Sequence, residues 1–189
     1  MLNVEKHFAQ TIAVGYYEND DDYMKSLQDK CFELEKTTPK GGFNWLSAPY
    51  NTSNTLDLYS IPEFDKLNKW VDRQVADYLD IIGYKHEFPN KEQAWFNIYR
   101  KGDFQEFHHH GSCVVSAIFI LKAGDENTKV SFDNTYTDMI YSDTPTSISY
   151  ISQDYKLIIF RSYMKHAVGM HQLDEPRISL AYNYKRIIK

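Results

Sequence analysis

The sequence contains little cysteine: Cys31 and Cys113 are the only two in 189 residues. Two cysteines cannot form the set of bridges that stabilises small secreted domains, so that class of protein is excluded. A charged leader followed by an apolar segment is also missing, and no apolar run reaches the length that spans a membrane. We therefore expect a cytoplasmic protein with reduced thiols and no membrane partner.

An excess of basic residues is missing as well. The chain carries 21 lysines and arginines against 26 aspartates and glutamates, for a formal net charge of −5. Proteins that neutralise phosphates need clustered cations, and no run of Lys or Arg forms a patch in this sequence. Nucleic acid is therefore not expected as a partner.

The remaining composition is that of an ordinary globular protein, with 42% hydrophobic and 25% charged residues. Aromatic residues are abundant at 15%, including 15 tyrosines, which favours β-rich packing. A length of 189 residues suits one well-buried domain. We predict a single domain over residues 1–189, in which residues 1–94 supply an N-terminal strand and supporting helices and residues 95–189 form the core.

Two helices are predicted in the first half of the chain. The first has apolar residues at helical spacing between Met24 and Leu34. The second has Ser60 and Glu63 in the pattern of a capping box, and Gly83 is expected to end it. The predicted buried stripe of this second helix consists of Phe64, Leu67, Val71, Val75, Tyr78 and Ile82.

From Trp95 onward the apolar period changes to two, which is typical of strands. Many short strands that follow two helices predict a mainly β fold with flanking helices, namely a double-stranded β-helix, the cupin-like jelly roll. One further strand is expected within residues 8–17. The other predicted strands lie near residues 95–100, 104–110, 114–122, 129–133, 146–151, 156–161 and 176–184.

Three consecutive histidines form the most informative motif of the chain. Alternate residues of a strand point to the same side, so His108 and His110 share a face while His109 points away. His166 lies in a later strand-like stretch and can supply a third imidazole. Such a set suits a metal ion, and imidazole binds Fe, Zn, Cu and Ni alike. The alternative is a polar core cluster or a surface triplet without a metal.

The usual non-haem iron site has two histidines and one carboxylate, and neither a His-x-Asp nor a His-x-Glu spacing occurs in this sequence. Either His110 takes the position of the carboxylate, or Glu106 or Asp103 swings in. We favour the three-histidine site, because Glu106 lies one further pleat away, about 7 Å along the strand. At that position Glu106 is better placed to orient an imidazole.

Arg177 begins another alternating strand, and a buried guanidinium there needs an anion. That anion is either a protein carboxylate or, as the histidines favour, the carboxylate of a ligand. Trp95, Asn97 and Tyr99 also share a face, either as core aromatics or with Asn97 and Tyr99 donating to a ligand. His171 follows a turn and is expected to be an exposed loop residue. The inward set of the last strand would be Arg177, Ser179, Ala181 and Asn183.

Residues 97–110, with the pattern N-x-Y-x-x-G-D-x-x-x-x-H-x-H, resemble the start of the core in a family of 2-oxoglutarate- and Fe(II)-dependent oxygenases. This family is prolyl-hydroxylase-like and occurs in bacteria and tailed phages. Residues 116–121, the block 160–168 around a distal histidine and the block 175–183 with its R-I-S signature are similar to the family in the same order. The Asn-Trp pair at 44–45 also resembles it, so the likeness covers most of the chain.

The resemblance implies roles for seven residues. Arg177 with Ser179 would grip the distal carboxylate of 2-oxoglutarate, and Tyr99 and Asn97 would flank that cosubstrate. By the resemblance the Fe(II) ligands would be His108, His110 and His166.

The resemblance implies an enzyme that uses Fe(II), 2-oxoglutarate and O2 to hydroxylate an unidentified substrate, a protein side chain or a small molecule, with release of succinate and CO2. Two alternatives stay open. One is a cupin-like three-histidine dioxygenase that oxidises its substrate without 2-oxoglutarate. The other is a non-enzymatic jelly-roll binding protein or virion component whose histidines are structural or hold zinc.

Overall fold

The computed structural model describes residues 10–18, 20–42, 46–47, 49–124, 128–134 and 146–186. The helices are α1 (Asp21–Thr37) and α2 (Asp65–Ile81), and 3₁₀ turns at Leu58–Ser60 and Pro62–Phe64 precede α2. Neither helix is both long and apolar enough to cross a membrane. The strands are β1 (Ile12–Tyr16), β2 (Tyr50–Asn51), β3 (Asn90–Tyr99), β4 (Gln105–His108), β5 (Val115–Lys122), β6 (Lys129–Asp133), β7 (Ser147–Ile151), β8 (Lys156–Arg161), β9 (His166–Val168) and β10 (Arg177–Lys185).

The strands form two antiparallel sheets. The larger has the order β1-β8-β5-β10-β3-β2, and the smaller has the order β4-β9-β6-β7. Among the described strands from β3 to β10 the chain passes back and forth between the two sheets, and only β6 and β7 follow each other within one sheet. This winding is that of a jelly roll. The predicted fold class, a mainly β double-stranded β-helix with flanking helices, is confirmed.

Strand β5 shows how the larger sheet separates two apolar layers. Val115, Ala117 and Phe119 belong to the cluster on the helix side, whereas Ile118 and Ile120 belong to the cluster between the sheets. Successive side chains of a strand point to opposite faces, so β5 is buried on both sides. Its nearly continuous apolar run follows from this position in the middle of the sheet.

Both helices contribute to the cluster on the outer face of the larger sheet. Leu27 and Cys31 of α1 and Val71 and Val75 of α2 are fully buried there. Burial of each large aliphatic side chain stabilises the fold by about 1.5–3 kcal/mol. The helices thus leave the space between the sheets for a second, smaller cluster, which consists of Ile118, Ile120, Val130, Phe132, Ile158, Phe160 and Met164.

The start of α2 differs from the prediction. The Ser60 hydroxyl donates to the carbonyl oxygen of Asp57 at 2.6 Å, and Glu63 pairs with Lys30 at 3.0 Å. The capping box predicted from Ser60 and Glu63 is therefore wrong, because both side chains have other partners and 3₁₀ turns occupy this segment. Gly83, with a φ of 70°, follows the helix as predicted.

The expectation that His171 lies in an exposed loop is wrong. Its side chain is fully buried. The ring Nε2 lies 2.6 Å from the Glu175 carbonyl oxygen, and Nδ1 lies 3.3 Å from Thr128 Oγ1. Its main chain accepts from the Gly102 amide and donates to the Asp103 carbonyl, both at 2.8 Å. These bonds replace water, so the imidazole joins the loops on either side of it.

We predict that Phe119→Ala destabilises the protein by about 3–5 kcal/mol, because it removes a fully buried ring from the helix-side cluster. Urea unfolding followed by circular dichroism measures the change. Phe107→Ala is the matched control, since that ring is 55% exposed and its loss should cost less than about 1 kcal/mol. Equal losses for the two variants would contradict the assignment of the core.

Candidate active site

The structure brings the three predicted histidines together between the sheets. His108 at the end of β4 lies in register with His166 at the start of β9. The ring centroids are 4.2 Å apart for His108 and His166 and 5.2 Å apart for each pair that includes His110. One ring nitrogen from each histidine lies within 4.8 Å of the others. This spacing suits coordination of one metal ion by three imidazoles.

Two of the three rings are oriented by main-chain carbonyls. His108 Nδ1 lies 2.8 Å from the carbonyl oxygen of Glu106, and His166 Nδ1 lies 3.1 Å from that of Met164. A carbonyl only accepts, so each Nδ1 carries the proton and donates it. Each Nε2 then carries the ring's lone pair, which is the tautomer that a metal ligand needs.

His110 reaches the cluster from a turn, because β4 ends at His108. The His110 amide donates to the Ser162 carbonyl at 2.8 Å, which fixes the turn against the segment that follows β8. His110 and His108 therefore share a side even though the predicted strand 104–110 is shorter than expected. His109, predicted to point away, is exposed but still contributes to the wall of the cavity described below.

Burial keeps the three rings neutral. Loss of solvent and, to a smaller extent, the neighbouring His108 and His109 together lower the pKa of His110 from 6.5 to about 4. Burial also lowers the pKa of His108, and it holds the pKa of His166 well below its ordinary value. Near pH 7 the cluster therefore offers uncharged lone pairs, as metal binding requires.

Each carboxylate considered as an alternative ligand has at least one other partner. Glu106 Oε1 accepts from the Leu46 amide at 2.8 Å, while Oε2 is buried without a hydrogen-bond partner among the described residues. Asp103 accepts from Ser47 Oγ at 3.2 Å and from the Arg100 amide at 2.8 Å. Within the described part of the chain, the metal-ligating group consists of the histidines alone. Glu106 does orient an imidazole, but through its main-chain carbonyl rather than the carboxylate that we expected.

Arg177 is a fully buried cation. Its Nε donates to Ser152 Oγ at 3.2 Å, and its guanidinium carbon lies 4.9 Å from the centre of the Tyr99 ring. Both terminal nitrogens are buried without a hydrogen-bond partner among the described residues. Burial accordingly lowers the pKa of the guanidinium. Two unpartnered donors on one planar cation match the two oxygens of a carboxylate.

A cavity of about 370 Å³ adjoins the histidines. The faces of β3 and β10 that the sequence predicted to point inward form part of its wall. The strand register sets Ser179 opposite Asn97 and Arg177 opposite Tyr99. Arg177 itself is not part of the wall, but Tyr99 and Ser179 beside it are. The three histidines line the cavity, and so do these residues of β3 and β10: Glu92, Gln93, Trp95, Asn97, Tyr99, Ser179, Ala181 and Asn183.

Several polar residues that support the site were not identified from the sequence. Ser152 holds Arg177, Gln105 accepts from the Tyr99 hydroxyl at 3.1 Å, and Ser162 contacts Ser116 at 2.9 Å. The sequence feature that could have pointed to them is Ser116, a polar residue within the apolar run of β5. A hydroxyl in a strand that is buried on both faces needs a hydrogen-bond partner. The predicted family feature at positions 44–45 lies outside the described residues.

Residues 93–183 match the model of a protein family described as "Putative 2OG-Fe(II) oxygenase". This segment contains the three histidines, Arg177 and most of the cavity wall. The match agrees with the resemblance predicted from the sequence, and it indicates a 2-oxoglutarate- and Fe(II)-dependent oxygenase.

Solved structures with the same fold share little sequence with the chain. A Pseudomonas putida prolyl-4-hydroxylase is 14% identical, with a TM-score of 0.70 and coverage of 94% of both chains. The non-heme alpha ketoglutarate dependent epimerase SnoN from nogalamycin biosynthesis is 12% identical, with a TM-score of 0.69 and coverage of 94% of this chain and 79% of its own. HygX from Streptomyces hygroscopicus, solved with nickel and 2-oxoglutarate bound, is 12% identical, with a TM-score of 0.67 and coverage of 94% and 83%. The comparison with curated proteins found no match.

We predict that the metal-free protein loses stability as the pH falls from 7 to 5. In the unfolded chain His110 takes up a proton near pH 6.5, whereas in the folded chain it does so only near pH 4. The unfolded state therefore binds more protons within this window, which costs about 2 kcal/mol of stability for this one group. Urea unfolding at both pH values, in the presence of a chelator, measures the loss.

His110→Gln should remove this share of the pH dependence. His86→Gln is the control, because His86 is exposed and lies outside the cluster. The same pH dependence in wild type and His110→Gln would show that His110 is not held neutral by the fold.

Proposed function

We propose that the chain hydroxylates an unidentified substrate with Fe(II), 2-oxoglutarate and O2, and that it releases succinate and CO2. The single observation that carries this proposal is the buried Arg177 guanidinium with two unpartnered nitrogens, next to a cavity that contains three imidazoles. A site that needs both a metal and a carboxylate fits a 2-oxo acid with a second carboxylate at its far end. The overall reaction converts R–H, 2-oxoglutarate and O2 into R–OH, succinate and CO2.

The histidine cluster fits a divalent metal of the iron group. His108, His110 and His166 would hold it through neutral nitrogen donors, the ligand type that Fe, Zn, Cu and Ni accept. Bound Fe(II) would supply the O2 chemistry that no protein side chain provides. The ring centroids of Phe160 and Phe132 lie 4.6 and 5.8 Å from that of His166, so the two aromatic rings pack against the imidazole and limit its movement.

Arg177 would bind the distal carboxylate of 2-oxoglutarate, which satisfies both of its unpartnered nitrogens with charge-assisted hydrogen bonds. Ser179 would donate to the same carboxylate. Tyr99 and Asn97 would flank the cosubstrate from β3, since both line the cavity opposite β10. These contacts would fix the orientation of the cosubstrate, and correct orientation of bound reactants supplies much of the rate enhancement of an enzyme.

The remaining features of this proposal concern partners and organisation. The substrate is a protein side chain or a small molecule, and a net charge of −5 argues against nucleic acid. The free thiols of Cys31 and Cys113 are consistent with a cytoplasmic location, and the family resemblance is consistent with a bacterial or phage source. The organisation of residues 1–189 as one domain stays a prediction. It is supported by the larger sheet, in which β1 and β2 come before residue 94 and β5, β8 and β10 come after it.

Two other functions remain as measurable alternatives. A cupin-like three-histidine dioxygenase would consume O2 with its substrate and form no succinate. The unpartnered guanidinium favours the 2-oxoglutarate enzyme over this alternative, because a direct dioxygenase has no use for a buried carboxylate site. A non-enzymatic jelly-roll binding or virion protein would contain stoichiometric zinc or no metal. Succinate release in the presence of a pool of candidate substrates separates all three.

We predict that wild-type protein with Fe(II) and 2-oxoglutarate, mixed without oxygen, develops a visible charge-transfer absorption band. His166→Ala should abolish the band, because it removes a buried ligand from the cluster. His86→Ala should retain it, since His86 is exposed and outside the cluster. Identical spectra for wild type and His166→Ala would show that the metal binds elsewhere.

Arg177→Met should have two opposite effects. Without ligand it should stabilise the protein by about 1 kcal/mol or more, because an unpaired buried charge is removed. The dissociation constant of 2-oxoglutarate should rise about 30-fold or more, because truncation of a buried charge pair costs 2 kcal/mol or more. Thermal unfolding and calorimetric titration of the Fe(II)-loaded protein measure the two effects.

Arg100→Met is the matched control for Arg177→Met. Arg100 is exposed and pairs with Glu35 at 2.8 Å, so its replacement should leave both quantities nearly unchanged. If Arg177→Met binds 2-oxoglutarate as tightly as wild type, Arg177 does not hold the cosubstrate.

A further inference from the structure

A short line of polar side chains connects His110 to the larger sheet. Asn183 Nδ2 lies 3.4 Å from His110 Nδ1, and Asn183 Oδ1 accepts from Ser116 Oγ at 2.7 Å. Ser116 Oγ in turn lies 2.9 Å from Ser162 Oγ. Both serines are almost fully buried, at 2% and 0% exposure, so the contact between them is shielded from water, whereas the two contacts of Asn183 are part-buried.

The partner of His110 differs in kind from those of the other two histidines. His108 and His166 each have Nδ1 against a main-chain carbonyl two residues earlier in the chain, which can only accept. His110 Nδ1 faces a side-chain amide instead, which can accept through oxygen or donate through nitrogen. The orientation of one amide therefore decides which tautomer His110 adopts.

Only one orientation of the amide is compatible with a metal on His110 Nε2. If Asn183 donates to Nδ1, the ring proton must sit on Nε2 and its lone pair is lost to the metal. If the amide is turned, Oδ1 accepts from His110 Nδ1–H and Nδ2 donates to Ser116 Oγ. Ser116 then donates its own proton to Ser162 Oγ, and each proton along the line has one acceptor.

We propose that Asn183, held in place by Ser116 and Ser162, is a positioning residue that fixes the tautomer of His110 and so completes the three-histidine metal site. This inference rests on the metal site of the proposed function. Ser162 acts on His110 twice, since its carbonyl accepts from the His110 amide at 2.8 Å while its hydroxyl ends the side-chain line. The strand register supports the arrangement, because Asn183 of β10 lies opposite Ser116 of β5.

The experiment titrates metal-free protein with Co(II) and follows the absorption bands of the bound ion. Asn183→Leu keeps the approximate size of the side chain and removes its hydrogen bonds, so the dissociation constant of Co(II) should rise about 10- to 100-fold. Asn183→Asp should bind Co(II) within about threefold of wild type, because a carboxylate also accepts from Nδ1–H. Long-range ¹⁵N–¹H spectra of the histidine rings should show the His110 proton on Nδ1 in wild type with zinc bound.

Asn68→Leu is the matched control, since Asn68 is a buried amide that contacts Leu58 and Tyr182 on the helix side. It should lower the stability and leave the Co(II) dissociation constant unchanged. If Asn183→Leu fails to fold, Ser116→Ala replaces it and should weaken Co(II) binding in the same direction. Unchanged Co(II) affinity in both variants would overturn the role of Asn183 alone. Failure of the wild type to bind Co(II) would overturn the proposed metal site and the role of Asn183 with it.

Discussion

The register of β10 between β3 and β5 is the constraint on which the site depends. It sets Arg177 opposite Tyr99 and Asn183 opposite Ser116, so that alternate residues of three strands face one cavity. A slip of one residue would turn all of these side chains toward the helices. Tyr182, fully buried on the helix side, would then point into the cavity. The apolar layer that anchors the helices therefore also fixes the position of the chemical groups.

The two parts of the site have opposite electrostatic needs. Burial keeps His108, His110 and His166 neutral, so their ring nitrogens offer lone pairs rather than positive charge. Burial leaves the terminal nitrogens of Arg177 without an anion among the described residues. A buried cation without a partner costs free energy. In the proposed function, a metal would bind the imidazoles and a dicarboxylic oxo acid would pair with the guanidinium.

Local patterns predicted the parts of the structure that depend on near neighbours. Alternation along a strand was sufficient to place Trp95, Asn97 and Tyr99 on one face of β3. The pairing of His108 with His110 was predicted correctly, although a turn rather than the strand carries His110 to the cluster. The bond of Arg177 with Ser152 and those that link Ser116 with Ser162 and Asn183 join residues 25, 46 and 67 positions apart. Such contacts depend on sheet register, which the period of one strand does not encode. His171 was mispredicted because three of its partners, Thr128, Gly102 and Asp103, lie far from it in the chain.

The position of Glu106 explains why a site with three neutral ligands is consistent with this fold. Its carboxylate accepts from the Leu46 amide and its carbonyl orients His108, so a swing toward the metal would break a bond at the carboxylate. A site without a carboxylate ligand keeps the full charge of the metal. Together with Arg177 this would give three positive charges, against which stand the Glu106 carboxylate near His108 and a dianionic oxo acid. The excess of positive charge before the oxo acid binds would strengthen cosubstrate binding, and the complete site would be close to neutral.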